Sequence, residues 1–524
     1  MTSSLIRGRP RRATSHISVR VVHTLLGGLA GVVWLVLPGM TISGGGSVPD
    51  ARANSAVVRG SPVAEEDETS GADLVLPLVA VGAAGVLAGY GYVRRTRRAR
   101  SRTTPGGGSS LTGPAPPPLG ELDDQVRMLL VEADDCVRTS REELGFVEAR
   151  FGAKAVAPFA RAVRDAHSEL SAAFRMRQQY DDGVPEDETA RRHALTGMVG
   201  RCQEAGLRLD AEADGFDRLR ALEDGVGEAL EIAEGRFRGL AGRVGGADAT
   251  LSELAGRYGS PAVAATAGHV EQAKDRLVFA TVRLNEARQS ADMGEGKAAI
   301  RHLRAAEGAI TQADMFIADI DRLADALKSA AGLVPAALTG AEAELAGVRG
   351  PASRPETPVL PAGELHAVVA HADLVLTAVR EELTTDGPYD PLDALRRIVA
   401  ATAPAGLGRA GVLSAAALLL ARSAVGGAAG FIATHRGAVG ATARTRLAEA
   451  ERLLTTEPIP ADTLARDARD LAEQDVRLHG NPYENHAAGV AGAVLGGVVS
   501  PDGTPPTYGG PRTRPRRGNH GIER

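Results

Sequence analysis

Gly294-Glu295-Gly296-Lys297 is the stretch that comes nearest to a phosphate-cradling loop. Such a loop runs Gly-x-x-x-x-Gly-Lys-Ser/Thr, with backbone amides around the phosphate and a hydroxyl reaching Mg²⁺. Here both ends fail, at Ala291 and Ala298, so the four residues read as a turn between helices. His366, His371 and Asp373 form a metal-like group. Five-residue spacing sets the two imidazoles about 140° apart on a helix. They cannot share one ion without a third segment, and they read as exposed polar histidines. Asp314, Asp319, Asp321 and Asp325 could do acid–base work only in a cleft with shifted pKa values. On a periodic helix they read as a solvated face. Cys136 and Cys202 fall on apolar stripe positions and read as core thiols of a reducing compartment. Two cysteines exclude a disulfide scaffold and a multi-thiolate zinc site. No catalytic, cofactor-binding or metal-ligating set emerges, and the chain reads as a non-enzyme without a cofactor.

The elements behind these residues are set by apolar pattern and charge. Aromatics make up only 3% of the 524 residues, which points to Leu/Val/Ala packing and not to stacked rings. Residues 21–42 and 74–93 are runs of 22 and 20 residues without Asp, Glu, Lys or Arg. At ~1.5 Å rise per residue, about 20 apolar residues span the hydrocarbon of a bilayer. Five arginines precede the first run, and Arg94, Arg95, Arg97, Arg98, Arg100 and Arg102 follow the second. The acidic Glu65-Glu66-Asp67-Glu68 lies between the runs. The positive-inside rule then puts both ends in the cytoplasm and the loop outside. The first run reads equally as an uncleaved anchor or as a signal peptide cut near Ala51-Arg52-Ala53. Gly27 and Gly31 in the first run, and Gly85 and Gly89 in the second, have the four-residue spacing that lets helix backbones approach in lipid. They are candidates for packing the spans together or for self-association into a homo-oligomer.

The charge of the remainder is acidic. The arginine islands at 1–20, 94–102 and 512–524 carry +5, +6 and +4 against a net −5, leaving −20 elsewhere. An acidic body is poorly suited to nucleic acid or to an anionic bilayer surface. Residues 103–120 are rich in Gly and Pro and read as a linker. Beyond them, Leu122, Val126, Leu129, Ala133 and Cys136 begin an apolar stripe at helical spacing, with a polar interruption near Ser140. Further stripes follow from Val156 and from Leu195, and Pro185-Glu186-Asp187-Glu188 suits a helix start. Three helix–turn–helix units are predicted, with turns at 293–296, 386–388 and 457–460. Val412–Ala421 is apolar but, at ten residues, too short to span, and it reads as a buried helix.

Several stretches resemble bacterial membrane proteins that carry a TPM domain. They are Glu142–Gly152, Ala173–Gln179, Phe216–Arg220, Phe431–Ala438, Gly492–Gly497 and Tyr508–Arg514. The resemblance covers roughly residues 73–524. It implies a signal peptide, an extracytoplasmic TPM domain, one membrane helix and a long helical cytoplasmic region. Some TPM domains are linked to phosphatase activity or photosystem repair. Here only the 30 residues 43–72 lie between the apolar runs. A compact domain needs at least ~50 residues. The TPM domain itself is therefore expected to be missing, and no residue inherits a catalytic role.

The expectation is an all-α protein with one or two transmembrane helices and an elongated antiparallel, coiled-coil-like body. Its divisions are a basic N-terminus (1–20), a signal peptide or first span (21–42), an outer loop (43–72) and a span (73–93). A basic linker (94–120), helical domains at 121–349 and 364–480 around a linker (350–363), and a disordered tail (481–524) complete it. The expected role is a non-catalytic scaffold at the cell membrane, with the bilayer and other proteins as partners and no nucleic acid. A divergent TPM-type phosphatase, and an anionic-lipid or nucleic-acid binder acting through the Arg-rich tail, are the alternatives.

Overall fold

In a computed structural model, the described residues are 117–349, 361–385, 387–405, 411–479, 488–499 and 503–514, all within the unit Thr112–Arg524. They are helical, with no strand among them. The helices are α1 (Leu119–Asp182), α2 (Glu188–Arg220), α3 (Leu222–Tyr258), α4 (His269–Asp292) and α5 (Gly296–Arg349). After them come α6 (Ala362–Thr384), α7 (Pro391–Thr402), α8 (Gly411–Thr434), α9 (Ala441–Leu453), α10 (Pro458–His479) and α11 (Ala488–Leu495).

Local chemistry explains the helix ends. Asp187 caps α2 by accepting the Ala190 amide at 2.8 Å. Asp390 caps α7 through the Leu392 and Asp393 amides, and Pro391 opens the helix where its missing N–H costs nothing. Within α1 the helix breaks at Gly152, whose φ of 80° is a conformation that L side chains rarely adopt. The neighbouring Arg150 reaches from this break to the Arg220 carbonyl at the end of α2 (3.1 Å) and to Glu228 on α3 (3.0 Å). Ala221, which joins α2 to α3, is left-handed at φ 40° and is a non-glycine residue in that region. That geometry costs on the order of 1 kcal/mol.

Packing follows the stripes. α1 and α2 pair around Val126, Leu130, Leu170, Leu195, Leu209 and Phe216. α4 and α5 pair through fully buried alanines at seven-residue intervals, Ala273, Ala280 and Ala287 on one helix and Ala299, Ala306 and Ala313 on the other. Small residues let helix backbones approach, so a core with few aromatics can still be dense.

The 54-residue α5 is the spine. Its first half packs on α3 and α4, its second half on α6, α7 and α8. The sequence predicts two separate helical domains, 121–349 and 364–480. Instead Leu327, Val334 and Leu345 of α5 share one core with Leu376 of α6, Ile398 of α7 and Leu420 of α8. The physical reason is that α5 exposes more apolar surface than α3 and α4 can cover, and the later helices cover the rest.

α8 contains the apolar decapeptide but runs on for 24 residues. Among the described residues it is the helix long and apolar enough to cross a membrane by length and composition, with mean hydropathy 1.6. In this unit Leu413, Ala417 and Leu420 pack against α5 and α7, and Val425 and Ile432 against the α9–α10 pair.

The tail departs most from expectation. Gly and Pro content predicts disorder from 481 onward. Residues 488–499 and 503–514 are instead folded onto the body, with Ala493, Val498 and Tyr508 buried.

Candidate functional site

The polar interruption of the α1 stripe lies at the centre of the unit. Thr139, Ser140 and Glu143 are buried there, where an uninterrupted stripe would have placed apolar groups. They are buried because the C-terminal segment crosses α1 and α2 at this level and brings unpaired backbone donors with it. Glu143 accepts the Tyr508 amide, and the Ser140 hydroxyl accepts the Gly509 amide at 3.2 Å. Asp210 of α2 accepts the amides of Gly510 (2.8 Å), Thr513 (3.1 Å) and Arg512 (3.3 Å), and the Thr513 hydroxyl (2.7 Å). Arg514 donates to the Thr507, Asp135 and Cys136 carbonyls. Gly510 sits so near α2 that a Cβ would meet the Gly206 carbonyl oxygen at 2.2 Å, so no side chain fits.

Tyr508 is the anchor of this strap. It is fully buried, its ring stacked on Phe216 at 4.1 Å and edge-on to Phe159 at 6.2 Å. Its hydroxyl donates to the Phe159 carbonyl at 3.2 Å. Burial pushes the phenol pKa up, so the donor form persists at any ordinary pH.

An ion network surrounds the strap. Arg220, at the end of α2, pairs with Glu143 of α1 and Glu307 of α5. Arg304 lies 3.3 Å from Glu143 and 3.8 Å from Asp217. Arg436, just beyond α8, grips Glu142 with two parallel bonds of 2.8 and 3.1 Å. Arg444 of α9 bonds Asp134 (2.6 Å), Asp135 (2.7 Å) and the Arg436 carbonyl (2.6 Å). Burial would raise the pKa of Asp134, but Arg138 and Arg444 outweigh it and hold the carboxyl at about 2. The cavity at the network's centre has a volume of about 30 Å³. That admits on the order of one water. The arrangement can lock helices.

A second polar group lies where α4, α5, α8 and α10 meet. His269, at the start of α4, and Asp319 of α5 are both buried, with Nδ1 to Oδ2 at 3.8 Å. Arg322 pairs with the same carboxylate. His435 stacks on Phe431 at 4.1 Å. Burial, reinforced by Arg469, His435 and Arg322, lowers the His269 pKa to about 4. Burial likewise lowers His435 to about 4, against the Phe431 carbonyl. Both imidazoles are neutral in the fold and protonate more readily when unfolded. The unfolded chain therefore binds more protons below pH 6.5, and stability falls as pH drops from there toward 4. The expected loss is on the order of 3 kcal/mol per histidine over that window. Thermal midpoints at pH 7 and pH 5 check this, and the double variant His269→Gln/His435→Gln should flatten the slope.

Other residues of chemical interest take the places their surroundings dictate. Residues 293–296 form the turn between α4 and α5. His366 and His371 are exposed, and Asp373 pairs with Arg349. Asp314 and Asp321 both bind Arg243 at 2.9 Å on the surface, as a solvated face predicts. Asp319 contradicts that reading, because it faces inward to His269. Cys136 and Cys202 are buried, and burial pushes their thiols up to about 11 and 12. Such thiols are inert toward electrophiles at neutral pH. Gly27, Gly31, Gly85, Gly89 and the arginines at 94, 95, 97, 98, 100 and 102 lie outside the described residues.

Five of the six stretches that carry the TPM-protein resemblance meet at this junction, and Ala173–Gln179 lies apart from it, with Arg177 paired to Asp123 and Asp181. Glu142 and Glu143 come from the first, Phe216 and Arg220 from another, Arg436 from a third, Gly497 and Tyr508 from the last two. Sequence reasoning singles out these stretches without showing that they touch. The signal available is the break in the α1 stripe at Ser140.

By fold, the described protein is an all-helical assembly closed by a C-terminal strap. Over 411 residues the chain is 31% identical to the UPF0603 proteins MT2410 and Rv2345 of two Mycobacterium tuberculosis strains. The match covers 74% of this chain and 62% of each relative, so the chain spans less than two thirds of their length. No family model matches the chain, and no solved structure matches it.

Proposed function

We propose that this protein is a non-catalytic helical scaffold attached to the cell membrane, with an elongated antiparallel body held in the cytoplasm. The observation that carries the reading is the way the body begins and closes. Its first described backbone group, the Pro117 carbonyl, is tied by Arg192 of α2 at 2.7 Å. That point lies near the end of the Gly/Pro linker, which is preceded in the chain by the arginine-flanked apolar run 74–93. The body's far end returns as the strap that locks α1 to α2. The buried charges are engaged in holding helices together, which suits a rigid platform for protein partners. The glycine pairs at 27/31 and 85/89 offer a route to self-association in lipid.

Fractionation with protease shaving tests this reading. The full chain should remain with alkali-washed membranes, and protease outside sealed cells should leave residues beyond 121 intact. Recovery in a detergent-free supernatant, digestion of the body from outside, or metal-dependent turnover of a phosphate ester would contradict the proposal.

A further inference from the structure

Beyond the scaffold role, and independent of it, we propose that the cleft between α5, α8 and α10 binds a phosphate group carried on an apolar stem. The cleft has a volume of about 450 Å³ and is lined by five arginines, Arg322, Arg396, Arg422, Arg466 and Arg469, against three carboxylates. This concentration of guanidinium groups stands in a body that is otherwise strongly acidic.

The arginines are fixed in place while keeping donors available. Arg322 pairs with Asp319 and Arg469 with Glu473 (2.7 Å), and both also reach successive α8 carbonyls, Gly426 (3.5 Å) and Gly427 (3.3 Å), where the absence of side chains opens the helix face. Arg469 is also stacked over Phe431, 4.0 Å from the ring centroid. Arg396 and Arg466 share Asp462, and Arg466 commits only its Nε, at 3.2 Å. Arg422 is exposed, with no hydrogen bond or ion pair to any described residue. Guanidinium forks match the tetrahedral oxygens of phosphate and hold it by paired, charge-assisted bonds.

A second observation points to a ligand. His269 lines the same cleft, is 7% exposed, and has its Nδ1 buried without a hydrogen-bond partner. Buried ring nitrogens are ordinarily satisfied. The neutral ring's one proton serves the Phe316 carbonyl, so a phosphate in the cleft would accept from Nδ1 once the ring takes up a second proton, which the phosphate charge favours. Leu323, Leu419 and Ala428 line the rest of the wall and suit a short apolar stem.

The test titrates the full-length protein in detergent with phenyl phosphate and, separately, with water-soluble dioctanoyl phosphatidic acid, by calorimetry. Saturable one-site binding is expected, falling at least about tenfold in Arg422→Glu/Arg466→Gln with no change in melting temperature. Arg301→Glu, at an exposed residue on α5 away from the cleft, should bind as wild type. Tighter binding of phenyl phosphate assigns the site to soluble esters, and tighter binding of the lipid assigns it to a headgroup. Absence of saturable binding of either probe, or equal binding by the double variant, overturns the proposal.

Discussion

Replacing Tyr508 by alanine is expected to destabilise the body by about 3–5 kcal/mol, the cost of emptying an aromatic site in a packed core. The ring has no alternative place to go, since it is enclosed by Phe216 and Phe159 on the two helices it joins. The substitution also removes a hydroxyl donor and leaves the Phe159 carbonyl without that partner. Tyr508→Phe separates the two contributions. It keeps the stacked ring and loses only the hydroxyl, so its cost should be about 1 kcal/mol. Urea unfolding followed by helical circular dichroism measures both. Equal stability of the alanine variant and wild type would show that the strap contributes nothing.

The second large effect is expected at Arg220. Arg220→Met leaves Glu143 and Glu307 buried with their central cation gone, a change worth about 3–5 kcal/mol. The penalty belongs to the stranded carboxylates, so neutralising them should restore stability. The triple variant Arg220→Met/Glu143→Gln/Glu307→Gln is predicted to recover most of the loss. Glu143→Gln keeps a side-chain carbonyl oxygen, so the Tyr508 amide that Glu143 accepts retains an acceptor. Failure of the triple variant to recover would mean that Arg220 acts through packing of its stem, not through charge. The same urea measurement distinguishes these outcomes.

Much of the helical layout is legible in the sequence, because it rests on local chemistry. The 3.6-residue stripes, the turn at 293–296 and the start of α2 at Glu188 follow from spacing and capping, whereas the turn expected at 457–460 falls earlier, at 454–457, because Pro458 opens α10. Long-range placement is not legible in the same way. Asp319 differs from Asp314 and Asp321 only in which helix face it occupies, and the partner for that face lies on α4. The merging of both helical segments on α5 depends on surface that α3 and α4 leave uncovered. The tail misleads for a definite reason. Glycine-rich composition usually signals a chain unable to bury enough apolar surface. Here Gly510 serves close backbone approach, and one tyrosine supplies the anchor. Ser140 and Glu143, which look like flaws in a stripe, are the acceptors that receive it.

Amide hydrogen exchange of the full-length protein bears most directly on the central claim, that the C-terminal strap closes the helical body. The amides of Tyr508, Gly509, Gly510 and Thr513 all donate to buried or half-buried side chains of α1 and α2. They are predicted to exchange as slowly as those of α1 around Ser140, and Tyr508→Ala should release both segments together. Exchange of residues 507–514 at the rate of an unstructured peptide, with α1 still protected, would contradict the account.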